Sequence, residues 1–338
     1  MIPAVKRIPS LDGLRAISIS LVIAGHILSE HHVLSFASVY ANTGVRIFFV
    51  ISGYLITTLL LREHEKTSTI SLREFYIRRA YRILPAAFAY MIPVMLLFSH
   101  ELRWYHAAAA VLYVVNFDFA RPWFIGHLWS LGVEEQFYFV WPGVLKKFFR
   151  HQTAILLGVM VMAPVFSAAC YAFKVAGGGY GTFPTVADNL AVGCLLAILA
   201  KRMPKISRWL ALAMVLAIAL IPYFPADTPA RTLFMLFVLW PLMNFCIAGV
   251  LLHVVQHPYR LLNLAPVAFL GRISYSLYLW QQLFFYDPEP KPLKIALPLT
   301  IGFACLSYYI VEQPMLRRRE KRHREVRAAV PCLTPAGD

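Results

Sequence analysis

Apolar stretches long enough to cross a lipid bilayer recur along the whole sequence. About 20 consecutive apolar residues are needed to span a membrane as a helix, and 59% of the 338 residues are hydrophobic while 14% are charged. Such a chain folds as a polytopic, all-α membrane helix bundle. We predict about ten spans, at residues 12–30, 44–61, 83–99, 128–148, 153–173, 187–200, 208–224, 232–254, 265–286 and 295–313. The short stretch 107–117 is expected to be interfacial or re-entrant.

The basic residues predict how these spans are oriented. When the predicted loops are assigned to alternating sides, most of the 32 lysines and arginines fall on the side of the N-terminus. Cytoplasmic loops are enriched in Lys and Arg, so the pattern favours an N-in, C-in, multi-pass protein of the cytoplasmic (inner) membrane. Residues 1–316 form one membrane domain, and 317–338 form a basic cytoplasmic tail that is expected to be disordered.

Charge and cysteine content exclude several other classes of protein. The net charge of +15 is spread over the predicted inner loops and the tail. This fits contact with anionic lipid headgroups, and we expect no nucleic-acid partner. The five cysteines are odd in number and lack a Cys-x-x-Cys pair, so neither a disulfide framework nor a metal site is predicted. The N-terminal apolar run is interrupted by polar residues and is expected to be a retained helix, not a signal peptide.

The first predicted span, "LDGLRAISISLVIAGH", contains Arg15 and His26. Ionisable residues are costly inside a bilayer and usually face a cavity or a partner. The two positions are eleven residues apart, which is close to three helical turns, or about 16 Å along one face. We therefore expect both side chains to line one polar stripe.

The segment "FYIRRAYRILPA" places Arg79 and Arg82 at the start of the third predicted span. Two interpretations are open. The arginines can mark the inner end of the helix and extend towards lipid headgroups. Alternatively, because residues three apart share a helical face, they can bind the phosphate groups of a ligand together.

The segment "HLWSLGVEEQFYFVWP" is the most informative polar stretch. Ser130, Glu134 and Tyr138 recur every four residues and share a face, with His127 close to it, while Glu135 lies about 100° further round. This arrangement suits a polar lining. The alternative is structural, with the glutamates capping helix ends or pairing with arginines on other segments, namely Arg46 or Arg121.

Six segments together resemble the membrane acyltransferase family three. They are "LDGLRAISISLVIAGH", "GVRIFFVISGYLITTLL", "FYIRRAYRILPA", "HLWSLGVEEQFYFVWP", "LGRISYSLYLWQQ" and "YYIVEQP", and they occur in the family's order over residues 11–314. The resemblance implies about ten spans and transfer of an acyl group, often acetyl from acyl-CoA, to a hydroxyl of a sugar, an exported glycan, a macrolide or a lipid. The matching positions are Arg15, His26, Arg79, Arg82, Trp129, Ser130, Glu134, Glu135, Gln136, Glu312 and Pro314.

The resemblance also implies roles for these residues. His26 is expected to be the catalytic base or a transient acyl carrier, and Arg15, Arg79 and Arg82 to bind acyl-CoA. Glu134 and Glu135 are both catalytic candidates, of which the helical face favours Glu134 and assigns Glu135 to pairing with a neighbouring span. Substrate-binding candidates are His127, Trp129, Ser130 and Tyr138.

One position departs from the family pattern. Many members have histidine after "SYSLYLW", whereas this chain has Gln281, so a neutral hydrogen-bonding role is expected there. Some members carry an additional esterase-like domain, for which residues 314–338 are too few. A glycan acceptor and membrane lipids are the expected partners, and the pattern specifies no oligomeric state. The alternative function is a transporter or flippase, whose polar stripe would line a conduit.

Overall fold

The protein is built from helices. The computed structural model describes residues 10–30, 38–175, 181–285 and 292–328, and these ranges contain helices and no strand. The predicted all-α fold class is confirmed. Six helical segments are long and apolar enough to cross a membrane: Leu11–Ser29, Val39–Thr67, Leu72–Leu97, Phe149–Ala172, Pro229–Gln256 and Leu293–Arg322.

The helices follow one another with short connections. The first half of the chain contains α1 (Leu11–Glu30), α2 (Ser38–Thr67), α3 (Leu72–Leu97), α4 (Trp104–Val111), α5 (Trp123–Gly126), α6 (Leu128–Lys147) and α7 (Gln152–Ala172). The second half contains α8 (Phe183–Leu199), α9 (Arg208–Leu220), α10 (Pro229–Phe234), α11 (Trp240–Gln256), α12 (Ala265–Arg272), α13 (Ser274–Phe284), α14 (Leu293–Leu306) and α15 (Gln313–Ala328). Two π-helical segments, Met235–Leu239 and Ser307–Glu312, connect α10 to α11 and α14 to α15.

All ten predicted spans coincide with helices, but the number that cross the membrane stays a prediction. Helix α6 contains two glutamates in its first half and two lysines in its last turn, and the apolar helices Phe183–Leu199 and Arg208–Tyr223 are shorter than a full span. The ninth predicted span is divided between α12 and α13. The predicted N-in, C-in orientation likewise stays a prediction.

Two segments at the margins of the predicted spans are helical. Residues 107–117, expected to be interfacial or re-entrant, contribute to α4 and to the 3-10 turn Val115–Phe117. The expectation of a disordered tail from residue 317 is wrong for its first part, because α15 continues to Ala328. Residues 329–338 lie outside the described part of the chain.

Helix α3 begins earlier than its apolar run predicts, at Leu72 and not at residue 83. Ser71 caps this start, since its side chain accepts a hydrogen bond from the Glu74 backbone N–H at 3.4 Å. The backbone N–H of Ser71 in turn donates to Glu63 Oε1 at 2.8 Å. A serine cap followed by a glutamate three residues later is a strong helix-start signal. The three polar first turns therefore extend the helix and place Arg79 and Arg82 inside it.

Close backbone contact between α2 and α8 forms the centre of the bundle. A Cβ added at Gly53 would lie 2.1 Å from the Leu190 carbonyl oxygen, and one added at Gly193 would lie 2.2 Å from the Val50 carbonyl oxygen. Small residues let membrane helices approach this closely, so that packing between the helices stabilises the pair. The contact fixes the position of α2, which carries part of the site described next.

Candidate active site

A large cavity, with a volume of about 1400 Å³, opens among α1, α2, α3, α6, α13 and α15. Small-molecule sites typically occupy roughly 300–1,000 Å³, so this cavity has room for a large ligand. Seven of the residues predicted from sequence line it: Arg15, Arg79, Arg82, Ser130, Glu134, Glu135 and Tyr138. Three of the predicted residues do not line it, namely His26, His127 and Trp129.

Glu134 is held inside the cavity by a neighbouring helix. The hydroxyl of Ser52 on α2 donates to Glu134 Oε1 at 2.6 Å. Tyr138 donates to Ser52 Oγ at 3.3 Å and extends the network along the predicted face of α6. Arg15 and Arg79 are both close enough to Glu134 to interact with it electrostatically. The carboxylate is thus oriented by a hydroxyl and surrounded by cations.

Glu135 lies in the same cavity, which differs from the prediction that it pairs with a neighbouring span. In the described part of the chain it makes no ion pair and no hydrogen bond within 3.5 Å. The cavity is wide enough to take in two adjacent positions of α6, and Arg79 interacts electrostatically with both glutamates. The two carboxylates therefore lie in the same cavity although they are about 100° apart around the helix axis.

The structural alternative for the glutamates predicted pairing with Arg46 or Arg121, and the structure contradicts it. Arg46 is 5% exposed and donates to Asn189 Oδ1 at 3.0 Å and to Asn244 Oδ1 at 3.2 Å. Arg121 donates to backbone carbonyls, including that of Asp118 at 2.8 Å. Both arginines are thus bound by other groups.

Three arginines from two helices converge on the cavity. Arg79 on α3 lies over the ring of Tyr138, with 5.2 Å between the guanidinium carbon and the ring centroid. Arg15 on α1 and Arg82 on α3 are close enough to repel one another electrostatically. Arg78, which directly precedes Arg79 in sequence, is instead paired with Glu63 at 3.0 Å. The three arginines share the cavity with Glu134 and Glu312, whose carboxylates offset part of their charge.

A π-helical segment brings one further carboxylate to the cavity. Glu312 ends the segment Ser307–Glu312, is 2% exposed and accepts a hydrogen bond from Ser276 Oγ at 3.2 Å. It interacts electrostatically with Arg15 and Arg82. Single π-helical turns inside α-helices are rare and frequently occur at functional sites. The carboxylate of Glu312 therefore belongs to the same charged lining as Glu134.

His26 lies outside this cavity, next to α13. Its Nδ1 donates to Gln281 Oε1 at 2.7 Å, and its ring packs edge-on against Trp123 with 5.9 Å between centroids. The expected neutral hydrogen-bonding role of Gln281 is confirmed. When Nδ1 carries the proton, Nε2 keeps its lone pair. Arg15 and His26 share α1 as predicted, but only Arg15 lines the cavity.

Ser130 and Tyr278 lie between the cavity and the region around His26. Their hydroxyls are 2.6 Å apart, and both residues line the cavity. The Tyr278 hydroxyl is also 3.0 Å from the carbonyl oxygen of His127. The ring of His127 packs against that of Tyr278, with 5.5 Å between centroids. His127 is therefore on the far side of this pair from the cavity.

Two matched positions of the family pattern have packing contacts. Trp129 packs edge-on against Phe49 with 6.1 Å between ring centroids, and Gly181, whose φ is 89°, lies against the indole. Gln136 donates to Asn116 Oδ1 at 2.8 Å and to the Tyr113 carbonyl oxygen at 2.9 Å. The Gln136 contacts connect α6 to the segment before it, and the Trp129 contacts connect α6 to α2 and to the residues before α8.

Sequence reasoning missed Ser52 and Tyr278. Ser52 lies in the apolar helix α2, and its only signal is a hydroxyl on the same helical face as Val45 and Phe49, which also line the cavity. Tyr278 lies within a matched segment, but nothing in its local pattern distinguishes it from Tyr275. Both residues gain their roles from partners on distant helices.

The fold and site define a class of protein. It is a helical membrane protein with an arginine-lined cavity and with a histidine beyond the Ser130 and Tyr278 side of that cavity. Residues 8–288 match the family described as the acyltransferase domain, and the chain belongs to that family.

Curated relatives support this membership. The chain is 31% identical to the peptidoglycan O-acetyltransferase OatA of Listeria monocytogenes, over 92% of this chain and 56% of the relative. It is 32% identical to a putative peptidoglycan O-acetyltransferase of Bacillus subtilis, over 92% of this chain and 55% of that protein. A putative O-acetyltransferase of Staphylococcus aureus is 30% identical, over 91% and 57% respectively. The chain thus spans about half the length of these relatives. No solved structure matches it significantly.

Proposed function

We propose that this protein is a membrane O-acyltransferase that transfers an acyl group, normally acetyl, from acyl-CoA to a hydroxyl of a cell-envelope glycan. The observation that carries the proposal is the convergence of Arg15, Arg79 and Arg82 on one cavity in a chain of the acyltransferase family. The family supplies the reaction class, and the names of the relatives favour acetyl as the acyl group and peptidoglycan or a similar glycan as the acceptor.

The lining supports a phosphate-bearing donor. Cationic side chains outnumber carboxylates around the cavity, and further basic residues from α2 and α15 stand at its mouth. Arginine binds phosphate through paired, charge-assisted hydrogen bonds. Coenzyme A carries several phosphates at one end and the thioester at the other. With the phosphates at the arginines, the thioester end extends towards the wall formed by Ser130 and Tyr278.

His26 is suited to the transfer step. With Nδ1–H donated to Gln281, Nε2 can take the proton of an acceptor hydroxyl as the oxygen attacks the thioester carbonyl carbon. The carbon–sulfur bond then breaks, and the departing thiolate receives the proton. The same nitrogen can instead attack the carbonyl carbon and expel the CoA thiolate. The acceptor hydroxyl then displaces the imidazole from the acyl group, and its proton passes to the thiolate. In both routes Gln281 orients the imidazole.

The positions of donor and acceptor follow from the predicted orientation. If the N-terminus is cytoplasmic, the basic mouth of the cavity faces the cytoplasm, where acyl-CoA is made. His26 then lies in the outer half of α1, about 16 Å further along the helix than Arg15. An exported glycan would reach it from the other side of the inner membrane.

The donor assignment is tested by calorimetry on the purified protein in detergent or nanodiscs. We expect CoA to bind, and Arg79→Ala with Arg82→Ala to weaken binding by about tenfold or more, because each charge-assisted hydrogen bond contributes roughly 1.5–3 kcal/mol. Arg318→Ala is the matched control, since Arg318 is an exposed arginine of α15 outside the cavity lining. Equal CoA affinity in all three proteins would contradict the proposed donor site.

The reaction is tested in proteoliposomes that contain the purified protein, labelled acetyl-CoA outside and a glycan oligosaccharide inside. We expect the label to appear on the oligosaccharide as an alkali-labile ester. Movement of unmodified oligosaccharide across the membrane, without acetyl transfer, would support a transporter instead.

A further inference from the structure

A second polar cluster surrounds His26, separate from the charged cavity. We define this histidine cluster as His26, His127, Gln281, Gln282 and Trp123. Two successive glutamines of α13 hold its parts together: Gln281 accepts from the His26 ring, and Gln282 Oε1 accepts from the His127 backbone N–H at 2.9 Å. The indole N–H of Trp123 donates to the Gln282 carbonyl oxygen at 3.2 Å.

His127 has a fixed backbone and an unpartnered ring. The residue is 3% exposed, and its carbonyl oxygen accepts from the hydroxyls of Tyr278 and Ser130. Neither Nδ1 nor Nε2 of the ring has a hydrogen-bond partner in the described part of the chain. The Leu279 backbone and the Gln282 side chain lie near the ring without meeting hydrogen-bond geometry. The position of the residue is thus secured while both polar ring atoms are left open.

Gln281 shows the same feature. Its side chain is 0% exposed, its Oε1 is bound to His26, and its Nε2 has no partner among the described residues. A buried polar group without a partner costs about 1–3 kcal/mol, and such groups are rare in native structures. Of the ten buried side-chain atoms without a partner among the described residues, three are nitrogens of this cluster, next to the partly exposed His26. This concentration is consistent with hydrogen bonds made by a ligand.

The cluster has no charged partner, in contrast to the cavity. Among the described residues, the two imidazoles interact with amides, aromatic rings and one another, and with no carboxylate, lysine or arginine. The rings of Trp123 and Tyr90 pack edge-on against His26 and His127 respectively. Neutral donors and acceptors beside aromatic faces match the hydroxyls and apolar faces of a sugar ring, and an unpaired charge would be costly there.

We propose that the histidine cluster is the acceptor subsite and that it takes an uncharged, hydroxyl-bearing sugar ring. His127 and the free amide of Gln281 hold hydroxyls of the ring, which places one further hydroxyl at His26 Nε2. The hydroxyl pair of Ser130 and Tyr278 lies at the boundary between this subsite and the cavity for the charged donor, which is where the thioester and the acceptor hydroxyl would meet. The inference rests on the proposed function, because it divides donor and acceptor between the two regions.

Equilibrium binding of two oligosaccharides to the purified protein tests the subsite without requiring turnover. The probes are an uncharged N-acetylhexosamine oligomer and the same-length oligomer with a carboxylate on each ring. We expect the uncharged probe to bind more tightly by about tenfold or more, because desolvating an unpaired carboxylate is costly. Equal binding of the two probes, or binding of neither, would overturn the subsite.

Two histidine variants provide the second measurement. His127→Gln should weaken binding of the uncharged oligomer by about tenfold while CoA affinity stays unchanged. Its melting temperature should fall only slightly, because the ring loses its contacts with Tyr90 and Tyr278 but has no hydrogen bond to lose. His253→Gln is the matched control. His253 is also buried, but its ring nitrogens are bonded to Ile206 and Tyr259, so this variant should lower the melting temperature and leave both affinities unchanged.

The outcomes separate this inference from the proposed function. Unchanged oligomer binding in His127→Gln would overturn the subsite even if acetyl transfer is observed. Selective, His127-dependent binding of the oligomer without acetyl transfer from any acyl donor would leave the subsite in place and refute the transferase.

Discussion

Residues of the same type in this protein have different environments, because their hydrogen-bond partners and charged neighbours differ. Glu134 and Glu135 are adjacent, identical in chemistry and directed into one cavity. Only Glu134 receives a hydroxyl donor, from Ser52, and is grouped with both Arg15 and Arg79. Its carboxylate is therefore held in one orientation, which catalysis by positioned groups requires.

The two glutamates are expected to respond differently to loss of charge. Glu134→Gln keeps the size and should cut turnover tenfold or more, about 1.4 kcal/mol of barrier, with little change in melting temperature. Glu135→Gln should change turnover far less. Because Glu135 has no ion pair in the described residues, we also expect no drop in its melting temperature, contrary to the sequence-based expectation of a structural pair. Turnover and thermal melting of both purified variants decide this, and a stable but inactive Glu135→Gln would reverse the assignment.

His26→Ala should abolish acyl transfer while the protein still inserts and folds. The imidazole makes one side-chain hydrogen bond, to Gln281, and one edge-on ring contact, to Trp123, so its removal should lower the melting temperature without preventing folding. CoA affinity should be unchanged, because His26 does not line the donor cavity. Transfer, CoA binding and melting are measured on the same preparation. Wild-type transfer by His26→Ala would refute its role as base or acyl carrier.

At the scale of helices, close packing and irregular turns decide which side chains meet. The glycines of α2 and α8 allow backbone contact between them, and the π-helical segment before α15 brings Glu312 to the cavity. Helix α3 begins three turns before its apolar run, which carries Arg79 and Arg82 along its axis into the bundle. The site is therefore a product of helix geometry as well as of residue type.

Gly193→Ala tests the contact between α2 and α8. The new methyl would lie 2.2 Å from the Val50 carbonyl oxygen, which belongs to a backbone that cannot easily move. Overpacking of this kind costs roughly 1–3 kcal/mol, so the melting temperature should fall. Gly158→Ala, in α7, is the matched control, because nothing lies within 4 Å of its added Cβ. Equal melting temperatures for the two variants would show that α2 and α8 can move apart to accommodate the added methyl group.

At the scale of the whole molecule, charge is asymmetric along the bundle. Helix α15, the end of α6 and the cavity lining carry more cations than carboxylates, whereas the histidine cluster is neutral. Positive residues are retained on the cytoplasmic side of membranes. Donor and acceptor would thus approach from opposite sides, as acylation of an exported glycan requires.

Cysteine labelling of intact cells tests this orientation. In a background without the five native cysteines, His100→Cys should react with a membrane-impermeant maleimide and Arg150→Cys should not, because these exposed residues follow α3 and α6 at predicted opposite faces. Permeabilised cells, in which both should react, provide the control. Labelling of Arg150→Cys but not of His100→Cys in intact cells would contradict the predicted orientation. The mouth of the cavity would then face the outside of the cell.

The sequence by itself determined the helical membrane fold and five of the charged residues that line the cavity. Lengths of apolar runs and helical spacing are local properties, so Arg15, Arg79 and Glu134 are recognisable from their own segments. The tertiary structure alone decided which partners they meet. Ser52 lies 82 residues from Glu134, Tyr278 lies 148 from Ser130, and Gln281 lies 255 from His26. It also placed Glu135 in the cavity and His26 outside it, because rotation and depth of each helix are set by packing against its neighbours, which no local pattern contains.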